Sequence, residues 1–156
     1  LFFLFQRMQQ IQDLKQRSRF ENVRVADFLI EKDRLVAEVT LSAEEMILYE
    51  KVYEHITLDA PTPDLVIYLQ APIEILKERI TKRGNINEQY LTLDYLERLN
   101  DAYSRFFLNY NDAPLLIINA SDINLESNEA DYESLISMIM SNPKGKNFVN
   151  PQPSII

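Results

Sequence analysis

Glycine is scarce: the 156 residues hold two, Gly84 and Gly145, where average usage of roughly 7% would give about eleven. Each stands alone, so no glycine-rich loop of the kind whose backbone amides cradle phosphate lies within these residues. Cysteine is absent, which removes disulfide frameworks, cysteine zinc sites and thiol nucleophiles. One histidine, His55, leaves little room for a histidine-based triad or a multi-histidine metal site; it reads most simply as a surface residue near a helix end. Positive charge is in deficit: 16 Lys and Arg against 24 Asp and Glu give a net charge of −8. That balance argues against nucleic acid or an anionic membrane as partner, though a local basic cluster can still hold a small anion. No run is long and apolar enough to span a bilayer. The opening Leu1-Phe-Phe-Leu-Phe5 is cut short by Gln6 and Arg7, and it lacks the basic leader and cleavage site of a signal peptide.

What is present is ordinary globular composition, 46% hydrophobic and 26% charged, at the length of one domain. The chain opens on Leu1, already inside an apolar helical pattern, which points to a fragment with further residues upstream. Leu1, Leu4, Phe5, Met8, Ile11 and Leu14 recur at helical spacing, predicting a helix over 1–17. Val23 to Ala26 is a β-branched run expected to be a strand leading into Asp27. Short helical character follows over Glu31–Val36. Ser42 with Glu44 and Glu45 predicts a helix start, and the cluster Asp59–Pro63 its end. The run Asp64–Leu69 reads as a strand buried on both faces. A helix over 72–83 ends at Gly84, a polar loop spans 85–91, and Thr92 with Asp94 opens a helix to about Tyr110. Leu115–Asn119 is a second buried-type strand, Asn128–Met140 a last helix, and 142–156 an irregular tail. Alternating strands and helices predict an α/β fold with a parallel sheet. Three strands are few for such a sheet, so N-terminal strands are expected to be missing.

The densest basic cluster is Lys77, Arg79, Lys82 and Arg83. Arg79 and Arg83 are four apart and share a helix face; beside a polar loop, two guanidinium forks suit a polyphosphate. The alternative is a solvated face with ion pairs to Glu74 and Glu78. Asp27, at the end of the first expected strand, suits Mg²⁺ or, equally, a helix cap. Arg7 and Asp33 offer a donor and an acceptor for a heterocycle, yet read more simply as separate surface charges. Glu88 reads as a solvated charge.

Several stretches together resemble the deoxynucleoside kinase family: Ala26-Asp-Phe-Leu-Ile-Glu-Lys-Asp-Arg34, Pro63-Asp-Leu-Val-Ile-Tyr-Leu-Gln-Ala71, Leu76-Lys-Glu-Arg-Ile-Thr-Lys-Arg-Gly84, Glu88-Gln89 and Tyr95-Leu-Glu-Arg-Leu99. The similarity runs from the first residues to about Asn124 and is greatest to a bacterial branch acting on deoxyadenosine or deoxyguanosine. It implies a three-layer P-loop NTPase-like fold, with residues 1–141 as the C-terminal portion of the kinase domain. It implies transfer of the γ-phosphoryl of ATP to a deoxynucleoside 5′-hydroxyl with Mg²⁺, in nucleotide salvage, by a cytoplasmic homodimer that needs neither nucleic acid nor membrane. Arg79 and Arg83 match lid arginines that close over the ATP phosphates. Glu88 matches the glutamate that holds the sugar 3′-hydroxyl, and Arg7 with Asp33 the pair that reads the base. Asp122 and Ile123 fall near the loop packing on the adenine, and Asp27 matches an acidic residue near Mg²⁺ and the reacting hydroxyl.

The sequence departs from the family pattern in three places. Phe28 stands where many relatives carry arginine, Asn85 replaces a further lid arginine, and Val36 falls where an aromatic often stacks on the base. The resemblance places the phosphate loop, and the carboxylate general base at the end of the second strand, upstream of Leu1; the strand bearing the loop is expected to lie between Val23–Ala26 and Asp64–Leu69. It follows that these 156 residues alone are expected to be poorly folded or inactive, with roughly 50–70 further residues upstream, the size of two βα units. Two rival readings are a nucleoside monophosphate kinase akin to thymidylate kinase, and a non-catalytic P-loop-fold binding module.

Overall fold

The computed structural model describes residues 2–15, 23–57, 60–85, 88, 90–121, 123 and 128–150. They form two compact units, one of residues 1–61 with 98–103, the other of 62–97 with 104–156.

The first unit holds three helices, α1 (Phe2–Lys15), α2 (Ile30–Thr40) and α3 (Ala43–Thr57). Their core is Leu4, Ala37 and Tyr49, with Leu41, Met46, Val52, Tyr53 and Ile56 packed against it. The start of α3 is a reciprocal cap: Glu45 N–H donates to Ser42 Oγ at 3.3 Å, and Ser42 N–H to Glu45 Oε2 at 2.8 Å. Two orphan amides of the first turn are thereby satisfied. The helical segment expected over 31–36 runs on to Thr40, because Leu35 and Ala37 both bury.

The second unit carries a parallel sheet of β1 (Val66–Gln70), β2 (Leu115–Asn119) and β3 (Lys146–Val149) in that order, together with α4 (Ile73–Arg83), α5 (Leu93–Asn109) and α6 (Glu129–Met140). The registers are Val66 opposite Leu115 and Leu115 opposite Lys146. β2, flanked on both sides, buries Leu115, Leu116, Ile117 and Ile118. Tyr68 stacks on Phe107 of α5 with ring centroids 4.2 Å apart. Thr92 caps α5 by accepting from Tyr95 N–H, and Asn128 caps α6 by accepting from Ala130 and Asp131 N–H. Both glycines sit where φ is positive, Gly84 at +64° ending α4 and Gly145 at +66° entering β3, a conformation that disfavours residues with a Cβ.

Three expectations change. Val23–Ala26 is not a strand: β-branched residues favour the extended chain, but a strand exists by its ladder. Here Val23 and Val25 are 76% and 89% exposed. The tail is not irregular throughout, since Lys146–Val149 pairs with β2. And β1 is not buried on both faces: with one neighbouring strand among the described residues, it leaves Ile67 and Leu69 38% and 47% exposed.

Candidate functional site

Each unit contains one cluster of polar side chains that the sequence singles out. In the first unit α1 and α2 bring Arg7 and Asp33 together. Arg7 Nε donates to Asp33 Oδ2 at 3.2 Å, Arg7 Nη1 donates to Gln10 Oε1 at 2.6 Å, and the guanidinium lies 4.8 Å from the Phe28 ring centroid. The two charges are not separate surface groups, as the simpler reading had them; their side chains are 23% and 14% exposed. Such burial strengthens a charge-assisted pair relative to a solvated one. The cation over the Phe28 face adds about 0.5–1 kcal/mol. Phe28, a departure from the family pattern in the sequence, thus acquires a contact of its own. Gln10, three residues beyond Arg7 and therefore on the same helix face, is a partner that the sequence reading missed.

The geometry leaves chemistry over. Among the described residues Arg7 Nη2 and Asp33 Oδ1 make no hydrogen bond, so the pair presents one more donor beside one more acceptor. Behind it, α3 supplies Tyr49 and Tyr53, stacked at 5.8 Å. The Tyr49 hydroxyl is buried with no partner among the described residues. Burial first, and then the Asp33 carboxylate, hold the Tyr49 phenol well above the ordinary range; burial and Glu31 push Tyr53 up to about 12. Arg34, next along α2, donates from Nε to Glu50 Oε1 at 2.8 Å and pairs with Glu38 at 3.0 Å, fastening α2 to α3.

Asp27 is exposed, beside a hollow of about 470 Å³ that Gln10, Asp13, Arg24 and Phe28 also line. It does not cap α2, which starts at Ile30 behind Leu29 and has no side-chain cap. No three Asp, Glu or His side chains converge among the described residues. Mg²⁺ commonly takes only one or two carboxylates from the protein, with phosphates and water completing its shell; Asp27 fits that mode.

In the second unit α4 carries the basic cluster. Arg79 Nη2 donates to the Ala120 carbonyl at 2.5 Å and more loosely to the Ser121 carbonyl at 3.5 Å, so this guanidinium reaches the carboxyl end of β2. Arg83 Nη1 pairs with Glu88 Oε1 at 3.0 Å, and Asn85 Nδ2 approaches the same oxygen at 3.4 Å. The acceptors are therefore not Glu74 and Glu78, the partners a purely solvated face would use. Glu88 Oε2 is buried with no partner among the described residues. Beneath, Lys77, Thr81, Asn85 and Glu88 line a hollow of about 370 Å³. Ile123 is half-buried after β2; Asp122 lies outside the described residues. Also missed in the sequence is a group at the same sheet end: Ser121 N–H and Oγ–H donate to Asn119 Oδ1 at 3.0 and 2.6 Å, while Asn119 Nδ2 donates to Asn150 Oδ1 at 2.7 Å.

A family model described as deoxynucleoside kinase matches residues 1–142. Deoxyguanosine kinase of Bacillus subtilis (strain 168) is 30% identical over 144 residues, covering 89% of this chain and 70% of that protein. Deoxyadenosine kinase of Lactobacillus acidophilus is 30% identical over 132 residues, covering 79% of this chain and 59% of that protein. Among solved structures, deoxyadenosine kinase from M. mycoides with bound dATP superposes with a TM-score of 0.70 at 23% identity, covering 89% of this chain and 72% of that one. This likeness establishes a shared α/β fold.

Proposed function

The chain belongs to the deoxynucleoside kinase family, and from that premise we propose that the full-length protein transfers the γ-phosphoryl of ATP to the 5′-hydroxyl of a deoxynucleoside, preferring purines. The observation that carries the reading is the Arg7–Asp33 pair held against Phe28. A purine edge offers ring-nitrogen and carbonyl acceptors to a guanidinium, and an exocyclic amine to a carboxylate. Relatives whose names give deoxyguanosine and deoxyadenosine as substrates support the same preference.

The roles divide between the clusters. Arg7 donates to the base through Nη2, and Asp33 accepts through Oδ1. Glu88 takes the sugar 3′-hydroxyl on Oε2, the oxygen that Arg83 does not occupy. Arg83 and Arg79 face the phosphates and neutralise charge that grows on them as the hydroxyl attacks in line, the usual demand in phosphoryl transfer. Ile123 falls near the loop that would pack on the adenine. Asp27 would hold Mg²⁺, which when bound supplies charge neutralisation on the phosphate oxygens. A homodimer and a cytoplasmic location belong to the same reading.

The test is a side-by-side assay of the full-length protein on four deoxynucleosides and their monophosphates. Phosphorylation of deoxyadenosine or deoxyguanosine is expected to exceed that of the pyrimidines and of every monophosphate. In the same assay Arg83→Ala is expected to lower kcat about 10²–10³-fold, the size of losing one preorganised charge-stabilising donor, with little change in deoxynucleoside KM. Preferential use of monophosphates, or an unchanged kcat, contradicts the reading.

A further inference from the structure

The carboxyl end of a parallel sheet is where ligands of open α/β folds collect, and at the end of β2 one residue is held on both sides. Ala120 N–H donates to Gln70 O of β1 at 2.7 Å, and the Ala120 carbonyl accepts from Arg79 at 2.5 Å. Ala120 has no polar side chain to fix its own carbonyl, so the plane of the Ala120–Ser121 peptide depends on its neighbours. Those neighbours are joined by one side chain. Asn119 Oδ1 accepts from both Ser121 N–H (3.0 Å) and Ser121 Oγ–H (2.6 Å), folding the chain back over Ala120. Its Nδ2 donates to Asn150 Oδ1 at 2.7 Å, tying the turn to the residue after β3. Three of the hydrogen bonds that an Asn side chain makes are in use, and all act on the segment whose carbonyls receive Arg79.

We propose that Asn119 is a positioning residue for Arg79: it fixes the Ala120 and Ser121 carbonyls, and these park the guanidinium at the sheet end where the donor nucleotide is bound. This rests on the reading above that Arg79 serves ATP. Asn119 touches neither substrate; its effect passes through the Ala120 carbonyl to one cation. It should therefore act on ATP and leave the deoxynucleoside alone.

The experiment measures KM for ATP and for the deoxynucleoside separately in the full-length protein. Asn119→Ala is expected to raise the KM for ATP about fivefold, the worth of a typical net hydrogen bond, with the deoxynucleoside KM unchanged. Asn119→Asp still accepts from Ser121, and Asn150 can turn its amide to donate to the second carboxylate oxygen; it should stay within about twofold of the parent. Ser121→Ala removes only the hydroxyl bond and should give a smaller rise of the same kind, so the idea remains testable if Asn119→Ala does not fold. Equal rises in both KM values, or no rise for ATP while Arg79→Ala does raise it, overturn the positioning role alone. An Arg79→Ala variant with both kcat and the KM for ATP unaltered overturns the reading on which it rests as well.

Discussion

At the scale of single residues, Arg7 shows how an unremarked charge becomes specific. It follows a helix turn rich in phenylalanine, and nothing in its sequence spacing to Asp33 predicts contact. The fold supplies three constraints on one guanidinium: a carboxylate at Nε, an amide oxygen at Nη1 and an aromatic face. A planar fork so held loses little further freedom when a base docks. Lysine, a point charge on a flexible stem, cannot reproduce the fork or its stacking. Arg7→Lys in the full-length protein is therefore expected to raise the deoxynucleoside KM about tenfold or more, the range for a hydrogen bond to a charged group, with the KM for ATP unchanged. Steady-state kinetics with each substrate varied in turn checks this, and a shift confined to ATP would remove Arg7 from the base-reading role. The pair was legible only through family resemblance; the residues alone favoured two solvated charges. Asn119 was not legible at all, because Asn150 lies beyond α6 and β3 and a terminal Asn on a strand has many innocent explanations.

At the scale of elements, local signals were reliable wherever a cap or a breaker marks a boundary. Ser42 with Glu45, Thr92, Asn128 and Gly84 each end or begin a helix where the sequence places it. The Ser42–Glu45 box makes a prediction of its own. The Ser42 backbone N–H, and then its hydroxyl, draw the Glu45 carboxyl below its ordinary value. A carboxyl with a depressed folded pKa adds stability above its unfolded pKa and loses it as pH falls through the folded one. Glu45→Ala, which removes the carboxylate itself, should therefore lower stability near neutrality, with the gap from the parent narrowing in acid. Denaturant midpoints at pH 7 and pH 3 measure it; a gap that does not narrow would show that the Glu45 charge takes no part. Strands were less legible for a physical reason. Val23–Ala26 has strand propensity without a ladder, while Lys146–Val149 has a polar, proline-flanked sequence with a ladder on β2. Pairing, which depends on residues far away in sequence, decides both cases.

At the scale of the whole molecule, composition carries further than it first did. The two glycines that seemed only to exclude a phosphate loop both serve positive-φ turns of the second unit, so the chain spends its glycine on boundaries alone. The acidic surplus is interrupted where Arg79 and Arg83 find carbonyl and carboxylate acceptors. Stability against alkali should draw on groups in each unit. Burial raises the phenols of Tyr49 and Tyr53 in the first unit and of Tyr68 in the second, with Tyr53 reaching about 12 from an ordinary 10.0. For an acid whose folded pKa lies above the unfolded one, the folded state binds the proton more tightly. Its contribution is complete below about pH 10 and is lost as pH rises towards 12. The thermal midpoint should accordingly fall over that window, with tyrosinate absorbance rising together with loss of helical signal rather than before it. Tyr53→Phe removes one of these groups while keeping the ring stacked on Tyr49, so its midpoint should fall less steeply with pH than the parent's. Parallel curves for the two proteins would mean that ionisation of Tyr53 is not what alkali acts upon.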